Sequence, residues 1–313
     1  MKAILLEKAG GVENLILKEV DQPIAKESEV LIEVKAISIN PVDFKVRGND
    51  AFVEAICGSG YPLVLGWDIA GKVVSIGDKV TQFKADDNVF GMTNFPGRGN
   101  AYAELVAAPE NHLAKMPDNV SFEEAAATTL AALTALQVFE TRIKKGDRVL
   151  IHAGSGGVGH FAIQIAKHLG AYVVTTSSEK NKEFVLSLGA DEHIDYRNQA
   201  FEEVVSNIDF VLDGMGGDVL LKSLKVLKDG GAVVSLPSGD FSDAVLEEAK
   251  KRNLDVSFKM VQSNDKDMNT LGGWLADGVL KPHIYKTFSL SEMNLAHAEI
   301  EKGRTVGKIV VKP

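Results

Sequence analysis

Ten residues near the middle of the chain, Ile151-His-Ala-Gly-Ser-Gly-Gly-Val-Gly-His160, restrict its fold more than any other stretch. Gly154, Gly156 and Gly159 fall at the spacing G-x-G-x-x-G. Alone the spacing says little, because 29 of the 313 residues are glycine. The flanks give it meaning. RVLIHA (148–153) reads as a buried strand, and the segment from Val158 to Leu169 as a helix. A glycine run between such a strand and such a helix is the phosphate turn of a dinucleotide site. Gly154 permits the tight turn, Gly156 lets the backbone approach a pyrophosphate, and Gly159 allows close helix–strand packing. Ser155, Gly157 and Val158 complete the loop, whose free N–H groups and helix dipole attract an anion. The competing reading is a turn that needs glycine for steric reasons alone.

The surrounding pattern favours the phosphate turn. YVVTTS (172–177) is the next strand and NKEFVLSLG (181–189) its crossover helix. EHIDY, DFVLDGM, GAVVSLP and VSFKMV supply four more strands with helical stretches between several of them. Strands alternating with helices in this way predict a parallel, doubly wound sheet. Residues 1–120 read differently, as short strands separated by Gly, Pro, Asp and Asn clusters: KAILL (2–6), LILKEV (15–20), VLIEVKAISI (30–39), IAGKVVSIG (69–77), NVFGM (88–92) and AYAELVAA (101–108). That texture predicts a small antiparallel barrel or sandwich. Ser121-Phe-Glu-Glu124 reads as a capping box opening a helix that runs to Phe139. After Asn269 come a helix, the strand HIYKTF, the helix SEMNLAHAEIEKG and a last strand, GKIVV. The expected division is a discontinuous first domain, 1–120 with 270–313, and a dinucleotide domain, 121–269.

Composition removes several classes of function. A chain that is 45% hydrophobic and 25% charged is an ordinary globular protein, and its length suits two domains. No apolar run approaches the ~20 residues of a membrane span. The opening MKAILLEKAGG reads as a first strand rather than a signal peptide, so the expected compartment is the cytoplasm. A single cysteine, Cys57, excludes an intramolecular disulfide and a cysteine-rich zinc site. A net charge of −9 argues against nucleic acid as a partner.

The end of the second strand of the dinucleotide unit speaks to cofactor choice. A site selective for NAD places Asp or Glu there to accept hydrogen bonds from the adenine ribose. This chain has Thr175-Thr-Ser-Ser-Glu-Lys-Asn-Lys182, with Ser177 at the acid's position and Glu179 two residues later. Ser177, Ser178, Lys180 and Lys182 suit the extra phosphate of NADPH; the plainer reading of both lysines is a solvated helix face. His152 and His160 flank the loop and read as packing or solvent-facing residues.

Taken together, Ser38-Ile-Asn-Pro-Val-Asp-Phe-Lys45, Leu65-Gly-Trp-Asp-Ile-Ala-Gly71, the alanine-rich helix Ala125–Ala135, His152–Gly159, Leu188-Gly-Ala-Asp191 with Ile194-Asp-Tyr-Arg197, and Val306-Gly-Lys-Ile-Val-Val311 resemble the zinc-independent medium-chain dehydrogenase/reductases, in the quinone oxidoreductase and alkenal/enone reductase branch. The resemblance covers nearly the whole chain. It implies a GroES-like β-barrel domain joined to a Rossmann domain, with the nicotinamide in a cleft. It puts Tyr196 and Arg304 near the 2′-phosphate, and a homodimer across the strand Val256-Ser-Phe-Lys-Met-Val261. It also sets Asn40 where zinc-dependent relatives carry a cysteine ligand and Trp67-Asp68 in place of their His-Glu pair, so no metal is expected. Two departures stand out. Asp86-Asp87 replaces a common Gly-Asp, and Arg47-Gly-Asn-Asp-Ala-Phe52 lacks the tyrosine of many enoyl reductases, which argues against a tyrosine proton donor and a thioester-type enoyl substrate.

Without a metal, hydride transfer needs an acceptor that is already electrophilic, a quinone or an α,β-unsaturated carbonyl. The expected catalytic residues are Asn40, donating to the developing oxyanion, and Lys45 and Arg47, adding positive charge. Their plain readings are a turn cap and two surface charges. Thr129 is a further candidate cofactor contact, and Thr134 is another. The competing functions are an ordinary ketone or aldehyde reductase, disfavoured by the missing zinc ligands, and a low-turnover NADPH-binding redox sensor or structural protein.

Overall fold

The computed structural model describes residues 1–313, which divide into two compact units: Met1–Leu133 with Val261–Pro313, and Thr134–Met260. The first begins with β1 (Lys2–Leu6), β2 (Leu15–Glu19) and β3 (Glu29–Ile39), then α1 (Pro41–Gly48) and α2 (Asp50–Cys57). It continues through β4 (Leu63–Val64), β5 (Asp68–Ile76), β6 (Asn88–Met92), β7 (Leu105–Pro109) and β8 (Leu113–Lys115) to α3 (Phe122–Phe139). In β3 the buried residues Val30, Ile32, Val34 and Ala36 alternate with more exposed neighbours, the period of a strand with one wet face. The alternation stops at Ile37-Ser38-Ile39, which are all buried, so the strand delivers Asn40 into the interior.

Helices α1 and α2 stand where the sequence reading placed no element. Each is eight residues long. Their signals are local: Pro41 occupies the first turn after Asn40, and the Asn49 side chain accepts the Ala51 N–H (2.8 Å). The apolar run at 101–108 is strand only from Leu105. Ala101–Glu104 bends instead, with Tyr102 fully buried. The box opening α3 is formed as its sequence suggests. Glu124 accepts from the Ser121 N–H (2.9 Å) and hydroxyl (2.7 Å), and the Ser121 hydroxyl accepts from the Glu124 N–H (3.3 Å).

The second unit is a strand–helix alternation: β9 (Arg148–Ile151), α4 (Gly157–His168), β10 (Tyr172–Ser177), α5 (Lys182–Ser187), β11 (Glu192–Asp195), α6 (Phe201–Val204), β12 (Ile208–Asp213), α7 (Gly217–Val226), β13 (Leu227–Ser235), α8 (Asp243–Arg252) and β14 (Asp255–Phe258). Its six strands are all parallel, in the order β11-β10-β9-β12-β13-β14. This is the doubly wound order of dinucleotide-binding sheets, with the reversal of strand order between β9 and β12. Leu150, Val174, Val211 and Val233 from the central strands pack with Leu220, Leu224 and Val245 from the helices into one apolar cluster. Because the strands are parallel, the turns after Ile151, Ser177 and Asp213 emerge at the same end of the sheet.

The chain then returns through α9 (Asp265–Ala276), β15 (Ile284–Ser289), α10 (Met293–Glu301) and β16 (Lys308–Lys312). β16 pairs antiparallel with β3, Ile309 opposite Ile39 and Val310 opposite Ser38, and so completes the seven-stranded sheet of the first unit. That pairing carries Lys308 to the end of β3.

Candidate active site

The glycine loop joins β9 to α4 at the strand end where an α/β sheet binds ligands. Each glycine has its own steric reason. A Cβ on Gly159 would lie 2.2 Å from the Ala153 carbonyl oxygen and 2.7 Å from the Gly154 Cα, both backbone atoms that cannot turn away. A Cβ on Gly154 would meet the Thr175 Oγ1 at 1.9 Å. The turn itself is made by Ala153, whose φ of 53° lies in the left-handed region, and not by Gly154. Ala153 is held there by its N–H on Thr176 Oγ1 (3.2 Å), while the Gly154 N–H reaches the Thr176 carbonyl (2.9 Å). Gly156 caps α4, so the N–H groups of Gly157, Val158 and Gly159 are those the helix leaves without an internal acceptor. Ser155 accepts a hydrogen bond from the Asn181 amide (3.0 Å), which ties this loop to the turn after β10.

At the end of β10, Ser177 and Ser178 are buried and no acid occupies their positions. The Ser177 hydroxyl lies 3.2 Å from the Ser178 carbonyl and 2.9 Å from His193 Nε2 on β11. The Ser177 carbonyl accepts the Tyr196 N–H (3.3 Å). Glu179 forms an exposed ion pair with Lys182 (3.5 Å), and Lys180 is exposed beside them. The Tyr196 ring is exposed, with the Arg197 guanidinium 5.7 Å from its centroid. His193, Asn181 and Arg197 were not among the residues chosen from sequence; the strand EHID next to YVVTTS was the available signal. Arg304 is exposed in the turn between α10 and β16, in the first unit.

The two histidines flanking the loop are structural. His152 is buried, with Nδ1 3.1 Å from the Thr176 hydroxyl and Nε2 2.9 Å from Ser223, and burial lowers its pKa to about 4. His160 is buried with Nδ1 2.9 Å from the Gly156 carbonyl. Asp213 ends β12 with its carboxylate accepting from the N–H groups of Met215 (2.8 Å) and Gly216 (3.0 Å) and from Ser235 (3.0 Å), which fixes the turn on the other side of the strand-order reversal. An open, polar hollow of about 320 Å³ lies among Arg142, Asp147, Asp209 and Lys228, at the starts of the strands and away from the glycine loop. Its Lys228–Asp209 ion pair (2.7 Å) takes up two of the charges that line it.

The first unit holds a second concentration of polar groups, and it centres on Asn40. This residue is 2% exposed. Its Nδ2 donates to Asp68 Oδ2 (2.7 Å), its Oδ1 accepts from Lys308 Nζ, and its N–H donates to Asp43 Oδ2 (2.8 Å). Lys308 also donates to the Ile39 carbonyl (3.0 Å) and lies 3.7 Å from Asp68. Asp68 accepts the Leu130 N–H (3.0 Å). Burial raises the pKa of Asp68 and lowers that of Lys308, and each charge opposes the shift of the other. Asp43 accepts the Tyr102 hydroxyl (2.6 Å), and burial, aided by the Asp68 charge, pushes its pKa up to about 7. With Asp43 ionised, Tyr102 gives its one proton to that carboxylate, and His297 Nε2, 2.9 Å away, then donates to the phenol oxygen. Burial takes the pKa of His297 down to about 3, so this imidazole is neutral.

Three more of the expected residues lie on α1 and α3. Arg47 is not a surface charge. It is 5% exposed, its Nε donates to the Gly10 carbonyl (3.0 Å), and it pairs with Glu301 of α10. Thr129 is fully buried, and its hydroxyl donates to the Ala126 carbonyl (2.9 Å) and supports the Asp68 charge. Lys45 is partly exposed on α1. The Asn40 amide is locked between an anion and a cation, and its second Nδ2–H has no acceptor in the chain.

Comparison with known proteins finds two matching family patterns. The pattern described as Alcohol dehydrogenase GroES-like domain matches residues 26–118, and that described as Zinc-binding dehydrogenase matches residues 188–311. The chain is 36% identical to 2-methylene-furan-3-one reductase of Solanum lycopersicum, over 100% of its own length and 79% of that protein's. It is 34% identical to the NADPH-dependent alkenal/one oxidoreductase, chloroplastic, of Arabidopsis thaliana, over 100% and 80%. The structure of the quinone oxidoreductase from Coxiella burnetii superimposes with a TM-score of 0.94 at 37% identity, covering 100% of this chain and 99% of that one. No helix is long and apolar enough to cross a membrane. The chain is therefore a member of the medium-chain dehydrogenase/reductase family of oxidoreductases, in the branch of the quinone oxidoreductases and alkenal/one reductases.

Proposed function

We propose that this oxidoreductase uses NADPH to reduce quinones or α,β-unsaturated carbonyl compounds, without a catalytic metal. The observation that carries the cofactor is the glycine loop, where a Cβ on Gly154 or Gly159 would fill the cradle and displace backbone or Thr175, at the head of α4. The residues fit a pyrophosphate there: the N–H groups of Gly157, Val158 and Gly159 would receive it, and the side-chain-free surface of Gly156 would let it approach. Ser177 and Ser178 in place of an acid, with Lys180, Lys182 and Tyr196, support recognition of the 2′-phosphate.

Zinc, named in the description of one matching pattern, does not fit the residues around Asn40. A zinc site needs three or four N, O or S ligands converging at about 2 Å. Here the Trp67 indole donates to the Gly97 carbonyl (2.8 Å), and Lys308 brings its ammonium to Asn40 and Asp68. No three His, Cys, Asp or Glu side chains converge anywhere in the chain.

Bound at the loop, NADPH supplies the hydride. The chain's own part is to orient and to stabilise charge. The second Nδ2–H of Asn40 donates to the oxygen on which negative charge develops, and Lys308 on Oδ1 strengthens that donor by polarising the amide. Lys45 adds positive charge from α1. The edge strand β14, paired on one side only, supports a twofold homodimer by pairing with its copy. NADPH oxidation measured with a naphthoquinone, an enal, an enone and a saturated ketone tests the reading. Turnover of the first three and not the fourth is expected. Equal rates on the saturated ketone would contradict it, and NADPH binding without any turnover would favour the binding-protein alternative.

A further inference from the structure

His193 sits on β11 opposite Thr175, one strand out from the end of β10, and is half-buried. Its Nε2 lies 2.9 Å from the Ser177 hydroxyl. The backbone repeats the tie, since the Tyr196 N–H reaches the Ser177 carbonyl (3.3 Å). The end of β11 thus holds Ser177 by both its side chain and its main chain. A serine hydroxyl has one proton and two lone pairs, so the partner of its oxygen decides what it offers a ligand. Were His193 Nε2 the acceptor, the serine would spend its proton on the imidazole and turn lone pairs outward, which repel a phosphate. With the ring proton on Nε2, His193 donates to Ser177 and the serine proton remains. Its acceptor in the chain is then the Ser178 carbonyl at 3.2 Å, a long contact that a charged phosphate oxygen can displace.

We infer that His193 is a positioning residue for cofactor choice: its Nε2–H donates to Ser177 and so directs that hydroxyl toward the 2′-phosphate that separates NADPH from NADH. The inference rests on the NADPH reading above and adds a residue to it. The neighbouring side chains suit the role. Lys180 and Tyr196 are exposed at the same strand end, and Glu179, the acid that would oppose a phosphate, is paired with Lys182 (3.5 Å).

The test is isothermal titration of NADPH and of NADH into wild type, His193→Ala, His193→Gln, Ser177→Ala and the double variant Ser177→Ala/His193→Ala, with thermal melting to check the fold of each. His193→Ala is expected to raise the NADPH Kd by about three- to tenfold, the scale of one hydrogen bond, and to leave NADH within about twofold. His193→Gln, which keeps an N–H near the same point, is expected to retain most of the preference. The double variant should bind NADPH no more weakly than Ser177→Ala, because the two residues act through one hydroxyl. Equal weakening of both cofactors, an unchanged NADPH-to-NADH ratio, or additive losses in the double variant would each overturn the role of His193. A wild type that binds NADH as tightly as NADPH would instead overturn the cofactor reading itself, and the inference with it.

Discussion

Gly159→Ala is the sharpest perturbation of the cradle. The added methyl would stand 2.2 Å from the Ala153 carbonyl oxygen and 2.7 Å from the Gly154 Cα, where an ordinary contact is 3.4 Å or more. Neither neighbour is a side chain that can rotate, so α4 must slide away from β9 by about 1 Å. Overpacking of this kind costs about 1–3 kcal/mol, which lowers Tm by about 2–10 °C for a chain of this size. The same slide moves the N–H groups of Gly157 and Val158 off a bound pyrophosphate. Losing one charge-assisted hydrogen bond weakens binding by about tenfold or more. Gly273→Ala is the control: this glycine lies inside α9 with nothing within 4 Å of a new Cβ, so the variant should melt at or slightly above wild type. Differential scanning fluorimetry and NADPH titration read both effects. A Gly159→Ala protein that melts with wild type and binds NADPH within twofold would refute the steric argument for the cradle.

Three further outcomes follow from the two sites. Asp43, whose folded pKa is raised to about 7 from 3.8, keeps a proton that the unfolded chain has lost, so its contribution to stability falls as pH rises from about 4 through 7. The difference in Tm between Asp43→Asn and wild type should therefore shift in the variant's favour between pH 5 and 8 and level off above; a constant difference would contradict the shift. Lys308→Met leaves the buried Asp68 carboxylate without its cation and should cost about 3–5 kcal/mol in urea unfolding, with Lys308→Met/Asp68→Asn recovering much of it; independent, additive losses would show that the two charges are not coupled. Ser177→Asp sets a carboxylate near the 2′-phosphate, where a like-charge pair at about 5 Å and an effective dielectric of about 20 is worth roughly 3 kcal/mol before screening. NADPH binding should weaken about five- to thirtyfold while NADH holds, and a parallel change in both would count against Ser177 as the discriminating position.

What the sequence disclosed and what it hid have different physical scales. β10 was legible at both ends, Tyr172 and Ser177, because a run of β-branched residues between glycine and a polar turn is a local signal. The glycine loop was legible for the same reason, although Ala153, not Gly154, makes the turn: a φ of 53° on an alanine has no signature in composition. The burial of Arg47 was not legible, because it depends on partners far away in sequence, Gly10 and Glu301. On α1 it shares the buried face with Asp43 and Val46, at helical spacing. The network around Asn40 was out of reach. Asn40 and Lys308 are 268 positions apart and meet only because β16 pairs with β3. Asn40 was chosen through the family resemblance; the cation that holds its amide could come only from the fold.

The central claim is that hydride from NADPH goes to the conjugated end of the acceptor, with Asn40 holding charge on the oxygen. The measurement that tests it most directly is single-turnover reduction of an enone with NADPH deuterated at the transferred position, followed by NMR of the product. Deuterium on the β-carbon of a saturated ketone is predicted for wild type, with the rate lowered about tenfold or more in Asn40→Ala. Deuterium on the carbinol carbon of an allylic alcohol would contradict the account, because it would make the chain a carbonyl reductase.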